Sequence, residues 1–301
     1  MDTPIGRLPD FIAIGPPRTG TTWLHRVLKD HVGLQRGPAK ETNFFWRRGY
    51  ERGLDWYVDQ FRHCQPDRPI VEVSPNYFGS TESFERIVRH MQHCRFICTL
   101  REPIERSYSY YKLMRHDGRT RQPFSEYVAI PEVADANRYG FRLRQWRKQF
   151  GGSNILVMLY DDLAAASESF LNPICDFMGI APIPIADSPL ARKKVHHVST
   201  DARSALLARN AMELRYWLSR NGLNRTVKVL RKLGVWRFCL RGGPEFPPLE
   251  PDLARRLRER LRPEIDDLEE LIGRDLSAWK QPQGGTKAAA MPGRVQLSNE
   301  S

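Results

Sequence analysis

The feature that most constrains this chain is a short apolar run, DFIAIG at residues 10–15, that passes directly into PPRTGTT at residues 16–22. Phe11, Ile12, Ala13 and Ile14 read as a buried strand. Gly15 and Gly20, five residues apart, read as a tight turn, and Thr21 and Thr22 stand where a helix opens and runs to about residue 31. A strand, glycine turn and helix in that order aim backbone N–H groups and the positive end of a helix dipole at one point in space. The arrangement predicts an anion site at the carboxyl end of the first strand of an α/β sheet.

The rest of the chain repeats the alternation. Apolar runs at residues 70–74, 95–100 and 154–160 read as strands, and helical spacing recurs at 83–92, 103–116, 139–150 and 167–178, with Pro103 suited to a first helical turn. This alternation predicts an α/β fold, a parallel sheet flanked by helices on both faces. Past Gly179 a proline-rich link at residues 181–189 leads to helical patterns near 201–220, 224–233 and 251–272. The expected organisation is one domain over residues 1–280, with an α/β core at 10–180 and a helical C-terminal region at 190–280. Residues 281–301, small and polar, read as a disordered tail.

The 301 residues, 41% of them hydrophobic, are enough to bury one large core. The longest apolar runs are strand-sized and far short of the roughly 20 residues that cross a bilayer. Residues 1–10 carry acids and prolines in place of a charged-then-apolar leader. The expectation is a cytoplasmic protein with no membrane span. Five cysteines, odd in number and without Cys-x-x-Cys spacing, read as reduced core thiols. His63 beside Cys64 and His93 beside Cys94 have no regular ligand spacing, so no metal site is expected.

The net charge of +12 implies an anionic partner, whether nucleic acid, acidic lipid or a small ligand. Much of the excess lies between residues 192 and 241 on helical spacing, which reads as a solvated basic face. The first loop favours a small anion. A Walker A loop has Gly-x-x-x-x-Gly-Lys-Ser/Thr. Here Thr21 stands at the lysine position and the cation, Arg18, lies inside the loop. The strand at 96–100 ends in Arg101, where a triphosphatase would place a magnesium-binding aspartate. Both features point away from a nucleotide kinase and toward a donor held by arginines, hydroxyls and backbone amides without a metal. A basic nucleic-acid-binding module is the rival from another class, and no nucleic-acid partner is expected.

PRTGTTW at residues 17–23 resembles the 5′-phosphosulfate loop of the sulfotransferases that use 3′-phosphoadenosine-5′-phosphosulfate (PAPS). In that family lysine usually stands at the Arg18 place, and arginine recurs in bacterial-type members. The family's second hallmark is an arginine ending a strand and a serine eight residues later, matched by Arg101 and Ser109 with Arg106 and Tyr111 between and beyond them. The resemblance implies a P-loop-like fold, Arg18, Thr19, Gly20, Thr21, Thr22 and Trp23 at the 5′-phosphosulfate, and Arg101 with Ser109 at the 3′-phosphate. Physically, an arginine at a strand's carboxyl end faces the crevice where α/β sheets bind ligands, and its fork suits a phosphate.

KETNFF at residues 40–45 resembles the segment that carries the catalytic glutamate of heparan sulfate-type glucosaminyl sulfotransferases, and Glu41 aligns with that base. VEVSPNYF at 71–78 resembles that branch's substrate-side strand, and residues 257–279, with the turn at Gly273, Arg274 and Asp275, resemble its carboxyl-terminal part more loosely. The resemblance implies Glu41 and Arg18 as catalytic groups and Lys40, Asn43, Phe44, Asn76 and Tyr77 on the acceptor side. It implies sulfuryl transfer from PAPS to a hydroxyl of a glycan or glycan-like molecule, with a small-molecule phenol, lipid or natural product as the alternative acceptor. Two departures bear on the acceptor: the branch tends to have lysine where Val73 stands and histidine where Asn43 stands, and Lys40 is the candidate substitute cation. Phe44, Phe45, Trp46, Tyr50, Trp56 and Tyr57 suit either a cleft or the core, and most read as core. RKK at residues 192–194 lies where family members bring a basic loop over the donor.

Overall fold

The computed structural model describes residues 6–36, 40–185, 200–220, 222–240 and 242–281. Four strands, β1 (Phe11–Ala13), β2 (Val71–Val73), β3 (Arg95–Leu100) and β4 (Ile155–Leu159), form one sheet in the order β2-β1-β3-β4. Every neighbouring pair is parallel, with Phe11 opposite both Val71 and Arg95 and Phe96 opposite Ile155. The strands are nearly continuous apolar runs because both faces are covered.

Alternation along β1 divides the core in two. Ile12 and Ile14, with Phe96, Cys98 and Leu100, pack on Tyr139, Leu143, Trp146 and Phe150 of the helix Tyr139–Phe150 and on Ile265 and Leu268 of the helix Pro251–Ile272. Phe11 and Ala13, with Val71, Val73 and Ile97, face Trp23, Leu24 and Val27 of the helix Thr21–Leu28 and Phe170, Leu171 and Ile174 of the helix Ser167–Met178. The helix Pro251–Ile272 and the segment behind it, through Leu276 and Trp279, complete the larger cluster, so the end of the helical region closes the α/β core.

β3 and the helices Pro103–His116, Tyr139–Phe150, Ser167–Met178 and Pro251–Ile272 fall where the sequence pattern puts them. β1 and β2 are shorter than their apolar runs, because only three residues of each enter the ladder. The short helices at Leu54–Asp59, Phe124–Tyr127, Pro131–Asp135, Tyr160–Ala165 and Val235–Leu240 have no counterpart in the sequence pattern. Each is too brief to display a 3.6-residue period. Residues 1–5, much of the proline-rich link, the RKK run and the expected tail beyond residue 281 lie outside the described residues. The five cysteines are free thiols, four of them buried.

Candidate active site

The loop after β1 is fixed to β3. A Cβ on Gly15 would lie 2.1 Å from the Thr99 carbonyl oxygen, so only glycine lets the loop pass this close. Thr19 is fully buried; its hydroxyl donates to the Pro16 carbonyl at 2.8 Å and meets the Thr99 hydroxyl at 2.7 Å. Gly20, at φ 92°, has Leu163 where a Cβ would stand. The sheet order reverses between β1 and β3, the switch point at which open α/β sheets bind ligands. The loop after β1 and Arg101 after β3 flank it.

There lies a cavity of about 180 Å³. Arg18, Gly20, Thr21, Thr22, Trp23, Lys40, Glu41, Arg101 and Ser109 all border it, so the two sequence motifs and the Lys40–Glu41 segment converge. Arg18 Nε donates to Ser109 Oγ at 2.9 Å, joining the first loop to the helix Pro103–His116. Burial first, and then the neighbouring Arg101, lower the Arg18 pKa, as expected for a guanidinium buried beside a second cation. Arg101 ion-pairs with Glu105 at 3.7 Å and stacks over the Tyr160 ring at 4.8 Å. Arg26 also borders the cavity. Sequence reasoning missed it, although it stands four residues after Thr22 on one helix face.

Lys40 ties the acceptor-side segment to the loop. Its Nζ donates to Thr21 Oγ1 at 3.0 Å and pairs with Glu41 Oε1 at 2.9 Å. Burial lowers the Lys40 pKa and Glu41 pulls it back up. Asn43 Nδ2 donates to Glu41 Oε2 at 3.2 Å, and Asn76 Nδ2 donates to Asn43 Oδ1 at 2.9 Å. Asn43 therefore orients Glu41, with Asn76 behind it. Phe44 and Tyr77 are fully buried core residues and do not border the cavity. Thr19 is also buried away from the cavity, whereas Trp23 borders it with its ring packed edge-on to Phe170 at 5.9 Å. Among the described residues, the non-glycine residues with positive φ are Arg18 (79°), Asn43 (48°) and Arg47 (50°), and such strain gathers at functional sites.

A family model described as a sulfotransferase domain matches residues 8–228. The chain belongs to the sulfotransferase family. Its relatives include the human bifunctional heparan sulfate N-deacetylase/N-sulfotransferase 3, 30% identical over 199 residues, covering 58% of this chain and 23% of that protein. The mouse N-deacetylase/N-sulfotransferase 4 is 28% identical over 198 residues, with the same coverage. The chain thus spans less than a quarter of the length of these relatives. A solved sulfotransferase from Alicyclobacillus acidocaldarius shares the fold at TM-score 0.65 and 20% identity, over 91% of this chain and 100% of that one.

In this sulfotransferase the Glu41 segment rests on a buried polar network. Glu72 of β2 is fully buried, and its carboxylate accepts from the hydroxyls of Thr42, Tyr57 (2.5 Å), Ser74 (2.7 Å) and Tyr77 (2.8 Å). Burial raises the Glu72 pKa, and the hydroxyl hydrogen bonds oppose that rise. Val73 points into the core. A second cleft of about 720 Å³ shares Pro17 and Pro75 with the first cavity; Trp46, Arg47, Asn76, Arg106, Tyr110 and Arg119 are among its walls. Among the described residues no three His, Cys, Asp or Glu side chains gather as metal ligands, and no helix is long and apolar enough to cross a membrane.

Proposed function

We propose that the enzyme moves a sulfuryl group from PAPS to a hydroxyl of a glycan or glycan-like acceptor, with Glu41 as general base. The observation that carries this reading is that Glu41 and Lys40 border the same cavity as Arg18, Arg101 and Ser109, beside a second, larger cleft. Arg101 and Ser109 would hold the 3′-phosphate, and Arg18 with the loop amides and Thr21 and Thr22 the phosphosulfate. Arginines, hydroxyls and a helix N-terminus fit a donor that is anionic at both its 3′-phosphate and its phosphosulfate, without a metal. Similarity to the heparan sulfate enzymes around residues 40–45 and 71–78 supports a saccharide acceptor, and the second cleft supplies the room.

In the reaction the acceptor oxygen bonds to sulfur as the bond from sulfur to the 5′-phosphate oxygen breaks, releasing adenosine 3′,5′-bisphosphate. Glu41 takes the hydroxyl proton, with Oε2 fixed by Asn43. Such general-base help contributes about 10² to 10⁴-fold. Lys40 and Arg18, which border the cavity, would stabilise the charge that develops on the bridging oxygen, where one well-placed donor contributes roughly 3 to 4 kcal/mol. Lys40 would serve in place of the lysine that the resembled branch tends to have where Val73 stands.

The test is sulfate transfer from PAPS to a panel of glycan and phenol acceptors in the presence of a metal chelator. Glu41→Gln is expected to lower turnover by about 10² to 10⁴-fold, while adenosine 3′,5′-bisphosphate still raises its melting temperature. A Glu41→Gln enzyme at the wild-type rate would assign the base elsewhere. Turnover of ATP that depends on Mg²⁺ would replace the reading with a kinase.

A further inference from the structure

Among the described residues, every exposed large hydrophobic side chain except Phe141 lies between Leu206 and Phe238. They belong to the helices Ala205–Arg220, Asn224–Lys232 and Val235–Leu240 and the turns between them. These helices have a small core of their own, in which Ala211, Trp236 and Cys239 pack with Val227, Leu230, Val235 and Leu240. The outward residues take no part in it. Leu207, Leu214 and Trp217 recur at steps of seven and three, one face of a helix, while Ala208, Ala211 and Met212 turn inward. Leu233 is 72% exposed and Phe238 69%.

The same stretch is strongly basic. Residues 205–240 carry eight Lys and Arg against one carboxylate, Glu213, which is paired with Arg209 at 2.9 Å. The sequence reading of a solvated basic face accounts for the charge and leaves the exposed apolar side chains unexplained.

We propose that this three-helix face docks the enzyme on the surface of an anionic lipid bilayer. Helices with exposed leucine and phenylalanine among lysines and arginines seat the apolar side chains at the acyl boundary and the cations among anionic headgroups. A nucleic acid would satisfy the cations and leave Leu206, Val229 and Leu233 in water, since aliphatic side chains offer no stacking platform. A second copy of the chain would bring two like-charged faces together. The contact is interfacial, since none of these helices can span a bilayer. Arg119, in the wall of the second cleft, lies 5.4 Å above the Tyr216 ring, so the helix Ala205–Arg220 reaches the edge of that cleft.

The experiment is co-sedimentation of the full chain with vesicles of phosphatidylcholine alone or mixed equally with phosphatidylglycerol. Binding is expected to the mixed vesicles, at least roughly tenfold tighter than to phosphatidylcholine, and to weaken with salt. Leu233→Ser with Phe238→Ser should weaken it roughly tenfold or more, and Lys228→Gln with Arg231→Gln to a similar degree. Phe141→Ser, equally apolar but outside the face, should bind as wild type. All these side chains are exposed, so an unchanged melting temperature reports an intact fold. Equal binding to both vesicle types, or wild-type binding by Leu233→Ser/Phe238→Ser, overturns the proposal. So does a dimer in light scattering that this pair dissolves, or duplex DNA binding in place of vesicle binding.

Discussion

Glu41 is held at both oxygens, by Lys40 and by Asn43, and the residue after it, Thr42, points the other way to Glu72. The buried carboxylate thus anchors from below a segment that presents its own carboxylate above. Glu72→Ala should strand four hydroxyls and leave a void, costing about 2 to 4 kcal/mol, read from denaturant midpoints, and lowering turnover. Glu72→Gln, which keeps the shape, should cost less. His25 is half-buried on the helix Thr21–Leu28: burial first, and then Lys40, push its pKa down to about 4 from 6.5. A His whose folded pKa is depressed contributes nothing while neutral in both states. As pH falls from about 6.5 toward 4, only the unfolded chain takes up the proton, and stability is lost. Melting temperatures of the wild type should therefore fall relative to His25→Gln across that window, and parallel curves would show that His25 does not titrate this way.

At the scale of elements, the helix Pro103–His116 is the part that brings Ser109 to Arg18. Glu102 caps it, accepting from the amides of Ile104 at 3.2 Å and Glu105 at 2.5 Å, and pairs with Arg258 of the helix Pro251–Ile272 at 3.3 Å. Both side chains are almost fully buried, at 3% and 4% exposure. Arg258→Ala leaves a buried carboxylate unpaired and should cost about 3 to 5 kcal/mol, while weakening the binding of adenosine 3′,5′-bisphosphate; Glu102→Gln with Arg258→Met should recover much of the stability. The long helices were legible because proline opens two of them and glycine follows three, at Gly151, Gly179 and Gly273. Arg18, Arg101 and Ser109 were legible because each sits at a fixed offset from a strand end. Glu72 was not, since a single carboxylate in an apolar run reads as strand, and its partners Thr42, Tyr57 and Tyr77 reach it only through the fold. For Phe44 and Tyr77 the sequence left cleft and core open, because an aromatic next to a motif has the same pattern in either, and the fold places both in the core.

At the scale of the whole molecule, the parallel sheet sets its switch point between β1 and β3, and both arginine-bearing motifs emerge there. The C-terminal helices divide the remaining work. The helix Pro251–Ile272 completes the main core, whereas the three helices from Ala205 to Leu240 form a cluster with an exposed apolar and basic exterior. In the proposed reaction the cavity at the switch point holds PAPS, and afterwards its product adenosine 3′,5′-bisphosphate, through Arg101 without a metal. Calorimetric titration of adenosine 3′,5′-bisphosphate in a chelating buffer tests it most directly. The account predicts binding by the wild type and a loss of about tenfold or more for Arg101→Ala, as removal of a charge-assisted contact implies; binding that requires Mg²⁺, or equal affinity in the two proteins, would contradict it.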